Sequence, residues 1–128
     1  MSETNKVVLL LAEQADQLWR LEQLLLDRGY AVLGAGDAEQ ALEHLSSPVV
    51  IDLMLVDEPF AGPLTGAALI ESCLPLRPLM RVLVLTQNPE RSALHARAYP
   101  VLLKPVGLEE LGLAIGVALC SPPVQPWL

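Results

Sequence analysis

Apolar residues along the chain fall into short blocks, and the spacing inside each block predicts its element. Residues 7–11 are an unbroken apolar run whose length suits a strand buried on both faces. Over residues 15–28, Leu18, Leu21 and Leu25 recur at helical spacing with Glu22, Gln23 and Asp27 between them, and Gly29 follows as a natural C-terminal cap. Residues 30–33 predict a second strand. Asp37 with Gln40 three residues later forms a capping-box pattern ahead of a short helix over 38–45, broken at 46–48. Residues 51–56 predict a third strand ending at Asp57. A loop with two prolines and a glycine spans 58–65, and a helix over 66–74 is stopped by Pro75 and Pro78. Residues 81–85 predict a fourth strand ending at Thr86. Asn88 before Pro89 starts a short helix to about Ala98. Val101–Leu103 is a fifth strand ending at Lys104 and Pro105. Leu108–Cys120 is a final helix with Glu109 and Glu110 in its first turn, where acidic side chains favour the helix dipole.

Five strand–helix alternations with apolar strands predict an α/β fold, a doubly wound sandwich around a parallel sheet. The domain is expected to occupy residues 1–120. Residues 121–128 hold three prolines and Trp127 and are read as an extended, Pro-rich tail.

Composition narrows the function classes. The chain has 128 residues, 15 acidic and 8 basic side chains, a formal charge of −7 and 52% hydrophobic residues. Such a chain can bury a full core without a disulfide or metal. Its acidity argues against nucleic-acid partners, which need a basic face to displace counterions. No apolar run reaches the length of a membrane span, and residues 1–6 are too polar for a signal peptide, so a cytoplasmic protein is expected. Cys73 and Cys120 lack a CxxC partner and are read as reduced thiols packed in or near the core. His44 and His95 have no partner at metal-ligand spacing and are read as surface or hydrogen-bonded histidines. Gly34-Ala-Gly36 follows the second strand and lacks a third glycine, so it does not support a dinucleotide site.

The chemistry is expected at the carboxyl ends of the strands, where open α/β sheets bind ligands. Ala12 and Glu13 follow the first strand, Asp57 the third, Thr86 the fourth and Lys104 the fifth. A carboxylate, a hydroxyl and an ammonium would meet there. Asp57 can attack a phosphoryl group as a nucleophile. Lys104 would pair with the phosphoryl oxygens and Thr86 would hydrogen-bond one of them. A magnesium ion could be held by Glu13 and Asp57.

The stretches Asp52-Leu-Met-Leu-Val-Asp57, Val82-Leu-Val-Leu-Thr86 and Leu102-Leu-Lys104-Pro105, in this order and each at a strand end, resemble the receiver domain of bacterial two-component response regulators. The resemblance covers residues 6–120. It implies a flavodoxin-like sheet of order 2-1-3-4-5 and a cis peptide between Lys104 and Pro105. It implies a phosphoacceptor at Asp57 rather than an enzyme, with at most self-phosphotransfer and autodephosphorylation. Thr86 and Lys104 would sense the phosphate, and magnesium would be the cofactor, with the Pro59 carbonyl as a third ligand beside Glu13 and Asp57. The implied partners are a histidine kinase or phosphotransfer protein and a downstream protein effector.

The sequence departs from the family in four places, one of them the loop after Asp57, which is one residue longer than the common pattern. Ala12 and Glu13 stand where the family has two acidic residues, so the magnesium site is expected to be weakened or absent. Val101 stands where the family usually has an aromatic residue, with Tyr99 two positions earlier. The segment from Thr86 to Lys104 is short, so the helix inside it is expected to be truncated. An alternative reading follows: a pseudo-receiver with the same fold, acting as an interaction module without phosphate chemistry. A small-ligand enzyme on a flavodoxin-like fold is a third reading, and no glycine-rich phosphate loop after the first strand supports it.

Low charge also predicts an exposed apolar patch. On the last helix Leu111, Ile115 and Leu119 are expected to face the sheet, leaving Ala114, Val117 and Ala118 outward. Gly112 and Gly116, four apart, are expected to mark close packing on the sheet or a thin face for a partner. The resemblance implies that the helix over 89–98, the fifth strand and the last helix form the face for a homodimer or for output partners.

Overall fold

A computed structural model describes residues 6–58, 66–73, 75–88 and 99–120. The elements run β1 (Val7–Ala12), α1 (Ala15–Asp27), β2 (Ala31–Ala35), α2 (Ala38–Leu45), β3 (Leu53–Asp57), α3 (Gly66–Cys73), β4 (Arg81–Thr86), β5 (Val101–Leu103) and α4 (Leu108–Cys120). The five strands form one parallel sheet of order β2-β1-β3-β4-β5, as the resemblance implies. The expected helix over 89–98, residues 59–65, His95 and the tail over 121–128 lie outside the described residues.

Strand alternation builds a core on each side of the sheet. Leu9 and Leu11 of β1, Met54 and Val56 of β3, and Val82 and Val84 of β4 pack with Ala41 and Leu45 of α2 and with Leu69, Ile70 and Cys73 of α3. Val8, Leu10, Leu53, Leu55, Leu83 and Leu85 point the other way, onto Leu21 and Leu25 of α1 and Leu111, Ile115 and Ala118 of α4. The strands are apolar at consecutive positions because both their faces are covered. Each leucine buried in this way contributes about 2 kcal/mol.

Local chemistry fixes the element ends. Asp37 Oδ1 accepts from Gln40 N at 2.8 Å, and Gln40 Oε1 accepts in return from Gly36 N at 2.7 Å. This is the expected capping box, with its return bond one residue earlier than usual. Gly29 follows the Arg28 cap of α1 at φ 90°, a left-handed conformation that residues with a Cβ rarely adopt. The third strand starts at Leu53 rather than at residue 51. Asp52 Oδ2 takes the Val7 N–H at 2.8 Å, so a side chain stands in for a ladder partner there. His44 Nε2 lies 3.0 Å from the Gly34 carbonyl, which accounts for this histidine as a hydrogen-bonded one.

Three surface expectations change. Ala118 is buried against the sheet, and Leu113 is the outward residue instead, at 72% exposed beside Val117 at 66%. The helix is rotated slightly from the expected setting, because Leu111, Ile115 and Ala118, not Leu119, make the fully buried stripe. Cys120 is exposed, since the last residue of α4 has turned off that stripe, whereas Cys73 is buried as expected. Gly112 packs against the Arg28 side chain, just past the end of α1: a Cβ there would overlap the guanidinium, while one at Gly116 would meet nothing.

Candidate functional site

Among the described residues, the carboxyl rim of the sheet carries three buried polar ones, Asp57 at 7% exposed, Glu58 at 6% and Thr86 at 3%. Each sits where a strand stops and the side-chain pattern changes from core to solvent. Asp57 is the last residue of β3, flanked by Ala12 of β1 and Leu85 of β4 in register. Buried charge needs a partner. Lys104, the residue after β5, supplies it: Nζ lies 3.0 Å from Asp57 Oδ1 and also donates to the Glu58 carbonyl. The backbone locks this placement. Glu58 N donates to the Leu85 carbonyl at 2.8 Å, and Lys104 N donates to the Thr86 carbonyl at 2.7 Å. The Lys104–Pro105 peptide is cis, as the resemblance implies. Asp57, Thr86 and Lys104 therefore gather at one rim of the sheet.

Thr86 is the member that does not face the open space. Its Oγ1 accepts from Asn88 N at 3.2 Å, an ST-type turn at the strand end. The open space is a cleft of about 480 Å³ lined by Glu13, Gln14, Gln17, Arg20, Asp57, Glu58, Gln87, Lys104, Pro105 and Val106. A smaller cavity of about 210 Å³ adjoins it and shares Gln17, Arg20, Lys104 and Val106. Glu58 and Arg20 are site residues that strand-end reasoning passes over. Glu58 belongs by pattern to a loop, and only its anomalous position directly after Asp57 could have marked it. Arg20 belongs by pattern to the polar face of α1, three residues after Gln17.

Among the described residues the donors fall short of a full magnesium cage. The ion demands near-octahedral oxygen ligands at about 2.1 Å and gives up water reluctantly. Ala12 places a fully buried methyl group beside Asp57, so its side chain offers a metal ion no oxygen. Glu13 is exposed at the cleft mouth. Among the described residues no three Asp, Glu, His or Cys side chains are grouped to hold a metal ion. Pro59 lies outside the described residues.

No protein-family model matches the sequence, and no curated protein does. Solved structures do. The receiver protein of a response regulator from Sinorhizobium medicae WSM419 superposes with a TM-score of 0.83 at 24% identity, over 94% of this chain and 98% of that one. A response regulator receiver domain protein from Methanospirillum hungatei JF-1 gives 0.80 at 26%, over 91% and 95%. The signal receiver domain of an HD domain-containing protein from Pseudomonas fluorescens Pf-5 gives 0.79 at 31% identity, over 90% of this chain and 94% of that one. The chain belongs to the receiver-domain family. This receiver domain brings Asp57 and Lys104 together at the carboxyl rim of its sheet, with Ala12 beside Asp57. Among its described residues no helix is long and apolar enough to cross a membrane.

Proposed function

We propose that this receiver domain accepts a phosphoryl group on Asp57 from a histidine kinase or a phosphotransfer protein and signals onward by contact with a protein effector. The observation that carries the reading is the Asp57–Lys104 pair, 3.0 Å apart at the floor of an open cleft. A carboxylate buried only to anchor a fold would be closed over, whereas this one faces space large enough for a phosphoryl donor. In the transfer, an Asp57 carboxylate oxygen attacks phosphorus and the donor's P–N bond breaks. The imidazole leaves with that electron pair, and an acyl phosphate remains on Asp57. Lys104 neutralises the oxygens as charge moves onto them. Thr86, one residue beyond Leu85, turns its hydroxyl from Asn88 N toward the new phosphoryl group. Magnesium is at most loosely held, on Glu13 and Asp57.

Intact-mass measurement with acetyl phosphate as donor tests this. An adduct of one phosphoryl group is expected on the native chain and none on Asp57→Asn. Absence of the adduct from the native chain at millimolar donor and magnesium overturns the phosphoacceptor reading. Ala12 favours the second reading, an interaction module of the same fold that works without phosphate, and that outcome would establish it in place of the first.

A further inference from the structure

We propose that Arg20 is a phosphoryl-binding residue, its guanidinium gripping the oxygens from the α1 side of the cleft while Lys104 grips them from the β5 side. The inference rests on the reading of Asp57 as phosphoacceptor and says how the charge is met there. A phosphoryl group brings about two negative charges. The cleft already holds the carboxylates of Glu13, Asp57 and Glu58, and Asp57 gives up its own charge when it becomes an acyl phosphate. A second carboxylate at position 12 could recruit a divalent cation to balance the rest, but Ala12 offers a methyl group. The balance falls to the chain's own cations.

Among the described basic side chains only Lys104 and Arg20 line the cleft. Arg20 stands on both cavities at the rim, and both times Lys104 is the other cation. Helical spacing puts it there: Gln14, Gln17 and Arg20 are three residues apart and form one polar stripe along the cleft wall. Among the described residues Arg20 makes no hydrogen bond or ion pair, so its five donors are not committed elsewhere. A guanidinium fork matches two phosphoryl oxygens, whereas the Lys104 ammonium acts as a point charge and is already divided between Asp57 and the Glu58 carbonyl.

The test uses phosphoramidate as donor and intact mass as readout, in EDTA and in magnesium. The native chain is expected to form the adduct in EDTA within about threefold of its rate in magnesium, because the ion is not the main counter-charge. Arg20→Gln is expected to lower that rate about tenfold, the scale of one charged hydrogen bond. Arg20→Lys should recover part of the loss, since it keeps the charge without the fork. Arg20 is exposed, so an unchanged thermal melt should accompany the Gln variant. As a second readout, beryllofluoride titrated into the protein should shift the NMR signal of the Arg20 side-chain Nε. Equal rates for native and Arg20→Gln chains, or an adduct that forms only with magnesium, overturn the inference and leave Asp57 as phosphoacceptor. No adduct in either buffer removes both.

Discussion

The two rims of the sheet solve the same problem in opposite ways. At the carboxyl rim Lys104 meets Asp57, an ionisable partner, beside an open cleft. At the amino rim, among the described residues, Arg77 meets only backbone. Its Nε and Nη2 donate to the Leu45 carbonyl at 3.1 and 3.0 Å, Nη2 to Ser47 O at 2.6 Å and Nη1 to Val49 O at 2.6 Å. These carbonyls lie at the end of α2 and in the segment leading to β3, and they would otherwise need water or a cap. A cation spread over carbonyls has no second protonation state to answer to. A cation held by one carboxylate depends on what that carboxylate carries. Under the proposed function, the contrast separates an anchor from a sensor by the chemistry of the partner rather than by burial.

The sharpest break should come at the anchor. Arg77→Ala strands three carbonyls and is expected to cost about 3 kcal/mol in urea unfolding, while leaving adduct formation on Asp57 unchanged. A large loss of adduct in a chain that remains folded would mean that the rims are not independent.

The thiol beneath that rim gives the next effect. Cys73, whose carbonyl accepts from Arg77 N, is pushed up to about 11 by burial, from 9.0. A raised acid pKa stabilises the fold fully below pH 9, and that stability drains away as pH rises toward 11, because the unfolded thiol ionises first. The expected loss approaches about 2 kcal/mol across that window, and Cys73→Ala should flatten it in unfolding curves taken at pH 8 and 10.5. Cys120, being exposed, should alkylate at once in the folded chain while Cys73 resists.

The smallest effect tests the sensor rim. Ala12→Asp places a new carboxylate beside Asp57, and without metal it should cost about 1 kcal/mol through like-charge repulsion and burial. Magnesium should restore that loss in the variant and shift the native melt far less. A native chain stabilised equally by magnesium would show that the ion needs no oxygen at position 12.

The sequence made one rim far more legible than the other. Asp57, Thr86 and Lys104 could be placed because each ends an apolar run, and a run's end in a parallel sheet has a fixed address. Arg77 lies between Pro75 and Pro78 in what reads as a connecting loop, and its partners are carbonyls more than 25 residues away, which no periodicity encodes. Glu58 was hidden for a related reason. It is charged, adjacent to a loop and therefore expected in solvent, yet its N–H joins the β4 backbone and draws it in. Ala114 and Ala118, expected outward, pack on the core because an apolar helix has no polar stripe to fix its rotation.

Lys104 reaches its site from the shortest strand of the sheet, three residues at the edge, and ties two neighbours together: its amide to the end of β4, its ammonium to the end of β3. A change of charge on Asp57 would thus be felt at β5, whose outer flank is one of the two edges of the sheet. Whatever reads this domain from that flank need not touch the aspartate at all.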